Sequence, residues 1–325
     1  MKKKILIITT GGTIAMKYDE EKGIVPAPDL VEFLTTFPQI NDIAEIEVLE
    51  FSNIPSPFVT PEIMNKLARL VDLKILDYDG IVITHGTDTL EESSYFLDLV
   101  LTTRKPVIFT AAMRNGSDLG LDGPRNIVGA VRAACHPESA DKGVLVVMND
   151  KIHSACDVVK TDTGRVESFE SIDLGILGII DPDQVVYYRQ VARKERIWTT
   201  EIDTDIDLIK CTSGMRDHFI QSSIDNKAKA IVIEAFGRGN VPVTIVEAIK
   251  KAIEAGIMVV IVSRAYSGRV LAQYGYDGGG KHLQSLGAVL GGDQRGQKVR
   301  IKLMCLFGKY KDPDMVKKFF VNSLK

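Results

Sequence analysis

The chain has 325 residues, and 40 Lys and Arg against 43 Asp and Glu leave a formal net charge of −3 at pH 7, which excludes a broadly basic nucleic-acid binder. Hydrophobic residues at 45% and charged residues at 26%, with 27 Gly and 12 Pro, are ordinary globular usage and exclude both disorder and a fibrous repeat. At roughly 100–200 residues per domain, the length predicts two domains.

The start Met1-Lys2-Lys3-Lys4 has the basic character of an export signal, but the apolar run Ile5–Ile8 meets Thr9-Thr10-Gly11-Gly12 well short of the roughly 7–15 residues such a signal needs. It reads as a first strand, Lys4 to Thr9, in a cytoplasmic protein. Short β-branched runs predict further strands at Gly80 to Thr84, Pro106 to Thr110 and Gly143 to Met148. Thr60-Pro61-Glu62 opens a helix with an N-cap hydroxyl, a proline in the first turn and an early acid. Leu67, Leu70, Val71 and Ile75 form its apolar stripe. Leu90 to Leu101 and Pro124 to Ala134 read as two more helices. This alternation predicts an α/β protein with helices on both faces of a parallel sheet.

The charged and polar segment Arg193 to Asp207 marks a domain boundary, giving domains 1–192 and 208–325 with 193–207 as linker. The second domain repeats the pattern with strands at Ala230 to Glu234 and Ile257 to Val262. A helix is predicted from Val243 to Ala255, and a closing one starts at Asp312-Pro313. Gly278-Gly279-Gly280 and Gly291-Gly292 are loop signals. Cys135, Cys156, Cys211 and Cys305 form no CxxC pair and are expected as free thiols. No apolar stretch approaches the roughly 20 residues that span a bilayer.

In an open α/β sheet, ligands bind outside the carboxyl ends of the strands, and three segments that follow strands carry chemistry. In Thr10-Gly11-Gly12-Thr13-Ile14-Ala15 the glycines allow a sharp turn or a close approach, and Thr13 presents a hydroxyl. Thr84-His85-Gly86-Thr87-Asp88-Thr89 gathers hydroxyls, an imidazole and a carboxylate at a strand end, where Thr87 or Asp88 could also cap the helix from Leu90. The loop Asn149 to Asp162 carries Lys160 between Asp157 and Asp162, a pattern that by itself describes a solvated surface charge. His85 reads as a buried neutral histidine bonded to backbone before it reads as a catalytic base. His136, His153, His218 and His282 show no metal-ligand spacing, so no metal is expected.

Thr10 to Ala15 together with Thr84 to Thr89 resembles the paired threonine signature of the bacterial-type asparaginase and glutaminase family, closest to its intracellular members. The likeness continues in Ala111-Ala112-Met113-Arg114, in Asp122-Gly123-Pro124-Arg125-Asn126, in Lys160 and in Gly237-Arg238-Gly239-Asn240. The resemblance implies a larger N-terminal flavodoxin-like domain, a smaller C-terminal α/β domain, no cofactor, and sites completed across a homodimer that often pairs into a homotetramer.

Position by position, the resemblance makes Thr13 the nucleophile and Thr87 the second reactive threonine. Asp88 takes the substrate α-amine, and Lys160 completes a relay with Thr87 and Asp88. Ser56 matches the α-carboxylate contact, Ala112 the backbone beside the leaving amide, and Asn240 and Asp277 the reach into a neighbouring subunit's site. An amide is a poor electrophile and a neutral hydroxyl a poor nucleophile, so such a site needs a proton acceptor and oxyanion donors. A lysine serves as that acceptor only where burial lowers its pKa from about 10.4; held charged by aspartates, it acts electrostatically.

The sequence departs from the family at two places. The mobile-loop tyrosine has Ile24 at its position, with Tyr18 nearby but out of register, and the segment around Ser56 reads Pro55-Ser56-Pro57-Phe58. Pro57 offers neither a polar side chain nor an N–H. The expected activity is hydrolysis of L-asparagine to L-aspartate and ammonia through an acyl-enzyme. The alternatives are another amide, such as glutamine or D-asparagine, or the ammonia-producing part of a tRNA-dependent amidotransferase. The latter would be expected to carry a further domain ahead of Thr13, where this sequence has only Met1–Gly12. A nucleotide-binding regulatory protein is weaker still, since neither GxGxxG nor GxxxxGK[ST] is present.

Overall fold

The computed structural model describes residues 2–12, 16–19, 23–26, 39–192 and 195–323, with 16–19, 23–26 and 39 described by backbone alone. The chain forms two compact units, Met1–Trp198 and Thr199–Lys325.

The strands of the first unit, in chain order, are β1 (Lys3–Thr9), β2 (Met16–Asp19), β3 (Gly23–Pro26), β4 (Ala44–Glu50), β5 (Gly80–Thr84), β6 (Val107–Thr110), β7 (Val144–Met148), β8 (Lys151–Ser154), β9 (Val159–Lys160), β10 (Phe169–Glu170), β11 (Gly178–Ile180) and β12 (Val185–Tyr187). Among the described residues, eight of them form one sheet in the order β12-β11-β8-β7-β6-β5-β1-β4. Strands β7, β6, β5, β1 and β4 run parallel, and β8, β11 and β12 extend the sheet antiparallel. Chain order within the parallel part gives the doubly wound arrangement 2-1-3-4-5 of flavodoxin-like sheets, whose strand order reverses between β1 and β5.

Strands β1, β5, β6 and β7 carry unbroken apolar runs because both faces are covered. Ile5, Ile7, Val82, Ile108, Leu145 and Val147 pack on Ile127, Ala130, Val131 and Ala134 of the helix Gly123–Cys135. The intervening Leu6, Ile8, Ile81, Ile83 and Phe109 are buried on the opposite face. The helix Pro61–Lys74 starts as predicted, with Thr60 Oγ1 accepting from Ile63 N at 3.4 Å. Its buried stripe is Met64, Leu67, Ala68 and Val71. Leu70 stands one helical step off that stripe and is only half-buried.

The segment after Met148 differs from the expected loop. Asn149 and Asp150 have φ of 48° and 60° and turn β8 back along β7, pairing Met148 with Lys151; positive φ at both central residues is the requirement of a tight two-residue hairpin.

Within residues 193–207, Ile197 is buried and its N–H donates to Leu99 O at 2.8 Å. Arg196 pairs with Asp98 at 3.1 Å, and Ile206 already begins the next strand.

The second unit has four parallel strands side by side in chain order, β13 (Ile206–Lys210), β14 (Ala230–Ala235), β15 (Met258–Ser263) and β16 (Val289–Leu290). Ile231, Ile233, Val259 and Ile261 form its core with Ile220, Ile245 and Ile249. The helix expected from Val243 begins as the 3-10 turn Val243–Ile245 and becomes α-helical over Val246–Glu254. The closing helix is Pro313–Asn322, capped by the Asp312 side chain on Asp314 N. Gly280, read as loop, opens the short helix Gly280–Ser285. Among the described residues no helix is long and apolar enough to cross a membrane.

Candidate active site

Strands β1 and β5 are neighbours with Thr9 opposite Thr84, so the turns that follow them leave the sheet side by side. The N–H and hydroxyl of Thr10 both donate to Thr84 O, at 3.1 and 3.0 Å. Gly11 and Gly12 have φ of 101° and 86°. A Cβ on Gly12 would lie 2.3 Å from Gly86 Cα, and one on Gly11 would lie 2.5 Å from Ile54 N. The two turns therefore touch backbone to backbone, and only glycine permits both the conformation and the approach. Thr13 lies outside the described residues; Gly12, bonded to it, is the described residue that meets Gly86.

Thr87, next to Gly86, is 7% exposed. Lys160 Nζ donates to Thr87 Oγ1 at 2.9 Å and to Asp88 Oδ1 at 2.7 Å. The Lys160 side chain is 17% exposed and that of Asp88 57%, so this lysine is not the solvated charge its sequence neighbours suggest. Those neighbours are engaged elsewhere. Asp162 Oδ1 accepts from Gly164 N and Arg165 N at 2.8 and 2.9 Å, and Asp157 Oδ1 accepts from Cys156 Sγ at 3.3 Å.

Ser56 begins the 3-10 turn Ser56–Phe58. Its Oγ accepts from Asp88 N at 3.2 Å and its carbonyl from Thr89 Oγ1 at 2.9 Å, which locks this turn onto the Thr87 turn. Pro57 and Phe58 are exposed. His85 is 1% exposed, and its Nδ1 donates to Gly86 O at 2.8 Å, which assigns the proton to Nδ1 because a carbonyl only accepts. Burial pushes its pKa down to about 4, so it is neutral at pH 7. This is the buried, backbone-bonded histidine the sequence suggested.

His85 N donates to Thr110 O at 2.9 Å, so Ala111 and Ala112 leave β6 beside the same turn. Their backbone is held from the helix Gly123–Cys135 and its N-cap. Met113 N and Arg114 N each donate to the Asp122 carboxylate at 3.0 Å. Asn126 Nδ2 donates to Ala111 O at 2.9 Å, and Asn126 Oδ1 accepts from Asn149 N at 2.9 Å.

The family model described as "Asparaginase, N-terminal" matches residues 4–193, and that described as "Glutaminase/Asparaginase C-terminal domain" matches residues 205–320. The chain belongs to the asparaginase family. It is 34% identical to an L-asparaginase of Bacillus licheniformis, with 96% of this chain and 98% of that protein covered. A crystal structure titled as a probable cytoplasmic L-asparaginase from Campylobacter jejuni superposes with a TM-score of 0.89 at 32% identity, covering 98% of this chain and 99% of that one. A subunit of the glutamyl-tRNA(Gln) amidotransferase of Methanococcus maripaludis is 30% identical, with 95% of this chain and 77% of that protein covered.

Of the residues singled out by resemblance to the asparaginases, Ser56, Thr87, Asp88 and Lys160 meet directly, and Ala112 follows the adjacent strand. Asn240 and Asp277 belong to the second unit and are drawn to one loop cluster after β14. Asn240 exchanges backbone hydrogen bonds with Phe236, at 2.8 and 3.0 Å, and Val241 N donates to the carbonyl of Gly278, the residue after Asp277, at 2.8 Å. Tyr18 and Ile24 face each other in register on β2 and β3; their side chains lie outside the description. Among the described residues, no group of three His, Cys, Asp or Glu could hold a metal ion.

Sequence reasoning missed Glu91. It is 8% exposed, and its Oε2 accepts from Lys160 N at 2.7 Å. An acid in the first turn of a helix reads as a partner of the helix dipole, and no spacing signal ties it to a lysine so far along the chain. Asp122 and Asn126 did carry a signal, as part of the family motif, but their task of holding the Ala111–Arg114 backbone is visible only in three dimensions.

Proposed function

We propose that the chain hydrolyses the side-chain amide of L-asparagine to L-aspartate and ammonia in the cytoplasm, with Thr13 as nucleophile and Thr87, Lys160 and Asp88 as the proton relay. The observation that carries this reading is the Lys160 ammonium bonded at once to Thr87 Oγ1 and Asp88 Oδ1, at 2.9 and 2.7 Å, on the turn that touches Gly12. Thr87 Oγ1 accepts from Lys160 and keeps its own proton to give, and a cation at this distance favours negative charge on that oxygen.

In the first half-reaction the Thr13 oxygen bonds to the amide carbon, its proton passes to Thr87 Oγ1 as Thr87 gives its own to the amide nitrogen, and the carbonyl pair moves onto oxygen, where backbone N–H groups of the two turns would receive it. Collapse expels the nitrogen, protonated to ammonia, and leaves an ester on Thr13. Water then adds to the ester carbon, and aspartate leaves as Thr13 regains its proton. The half-exposed Asp88 carboxylate suits the α-amine, Ser56 the α-carboxylate, and the Ala112 backbone the amide. Asn240 and Asp277 would complete the site of a neighbouring subunit in a homodimer or homotetramer.

A second reading, a different amide substrate, has two supports. One relative carries an amidotransferase name, and Pro57 beside Ser56 presents no polar group; a site lacking a hydrogen-bonding partner discriminates less strongly. Ammonia release from L-asparagine, L-glutamine and their D-forms separates the two. L-Asparagine should be turned over with the highest kcat/KM, and preference for another amide would transfer the assignment. Thr13→Ala and Thr87→Val should each lower kcat by about 10³-fold or more in a folded protein; an active Thr13→Ala enzyme would refute the nucleophile.

A further inference from the structure

Lys160 reaches the Thr87 turn on a segment with little structure of its own. It ends β9, whose two residues pair with the two of β10, Lys160 with Phe169 and Val159 with Glu170, in a ladder separate from the main sheet. So short a ladder is marginal by itself. A lysine side chain has many rotamers to lose, so delivering Nζ to two acceptors at once requires its backbone root to be fixed.

That root is fixed by Glu91. Its carboxylate accepts the Lys160 backbone N–H at 2.7 Å, a charge-assisted bond of the stronger kind made in a nearly buried position. Glu91 lies in the first turn of the helix Leu90–Val100, which continues directly from Thr87-Asp88-Thr89. Residues 87–91 therefore hold Lys160 at both ends, Thr87 and Asp88 at Nζ and Glu91 at the backbone nitrogen. We infer that Glu91 is a positioning residue: it sets where the Lys160 ammonium stands and contributes to turnover through Lys160, without contact to substrate. The inference rests on the proposed relay.

The experiment combines steady-state ammonia release by Glu91→Gln, Glu91→Ala, Lys160→Met and the Glu91→Ala/Lys160→Met double variant with amide hydrogen exchange in 15N-lysine-labelled protein. Glutamine keeps an acceptor oxygen, so Glu91→Gln should retain kcat within about threefold and keep the Lys160 amide slow to exchange. Glu91→Ala should lower kcat by about tenfold to a hundredfold, leave KM within about threefold and speed exchange at Lys160, while the amides of Lys4 in β1 and Lys151 in β8 stay protected. In the Lys160→Met background the alanine change should add nothing further to the loss in kcat.

Glu91→Ala with wild-type kcat, or with a raised KM and unchanged kcat, overturns the inference, as does an additive loss in the double variant. Should Glu91→Ala fail to fold, Glu91→Gln decides: fast Lys160 exchange with normal kcat overturns the inference, and slow exchange with near-normal kcat supports it. A fully active Lys160→Met sinks the relay and this inference together, whereas an inactive Lys160→Met beside a fully active Glu91→Ala sinks the inference alone.

Discussion

Acid should weaken the first unit through His85, a buried residue outside the proposed relay. Burial takes its pKa from 6.5 to about 4, with the Gly86 carbonyl pulling weakly the other way. The unfolded imidazole titrates near 6.5, so between that pH and about 4 the unfolded chain holds a proton that the folded one does not. Stability drops as pH drops wherever the unfolded state binds more protons. The contribution is thus whole above pH 6.5 and lost by about pH 4. A difference of about 2.5 in pKa, at 1.36 kcal/mol each, comes to about 3 kcal/mol, of which about 2 kcal/mol is gone by pH 5. The single tryptophan, Trp198, is 60% exposed, so unfolding is followed by circular dichroism. Urea denaturation at pH 7 and pH 5 should show the wild type losing about 2 kcal/mol more than His85→Gln, which cannot titrate and shares every other titratable group. Equal losses in the two proteins, or a His85 resonance titrating at 6.5 or above, would refute the argument by showing that the bond to Gly86 outweighs burial.

Two further substitutions test the turns themselves. Gly12→Ala puts a Cβ 2.3 Å from Gly86 Cα at a φ of 86°; separating the turns should cost about 1–3 kcal/mol of stability and, by moving the backbone next to the proposed nucleophile away from the Thr87 turn, about 100-fold in kcat, read by thermal melting and ammonia release. Ser56→Ala removes the acceptor of Asp88 N and the proposed substrate contact, and should raise KM for asparagine by about tenfold at a stability loss of about 1–3 kcal/mol; an unchanged KM takes Ser56 out of substrate binding.

Much of the first unit was legible because its strands are unmixed apolar runs. β1, β5, β6 and β7 fall within a residue of their expected bounds, since a strand covered on both faces has no polar positions to confuse its limits. The helix Pro61–Lys74 announced itself through its cap and stripe. β8 was not legible: Lys151-Ile152-His153-Ser154 carries little β signal, and its antiparallel course depends on two left-handed residues of a turn read as open loop. The helix Gly296–Lys309 was missed as well. Its buried residues run from Lys298 to Gly308 with hardly a break, apart from the half-buried Arg300, and include Lys298 and Lys302, so it lacks the alternation of faces by which a surface helix is read. In the site, the two glycine turns could be placed at strand ends from sequence, but the meeting of Lys160 with Thr87 and Asp88 could not. Local pattern says nothing about a side chain delivered from so far along the chain.

The sheet explains why the cation had to come from elsewhere. At the reversal of strand order the turns after β1 and β5 leave the sheet side by side, and their approach is so close that glycine fills the contact on both sides. Turns built this way can present hydroxyls and backbone N–H groups but have no room for a long charged side chain at their junction. The positive charge is instead supplied from the antiparallel extension, by the chain that follows β8. Enclosing an ammonium to 17% exposure costs desolvation energy, and the Coulomb attraction of a partner offsets that cost only when the geometry is good and the remaining bonds are made. Asp88 meets this condition at 2.7 Å while its own side chain stays 57% exposed, so only one member of the pair gives up most of its water. The arrangement predicts an order of importance among the substitutions, read as loss of kcat in ammonia release: removing Asp88 should harm the placement of Lys160 more than removing Asp157 or Asp162, because those two carboxylates spend their oxygens on other partners.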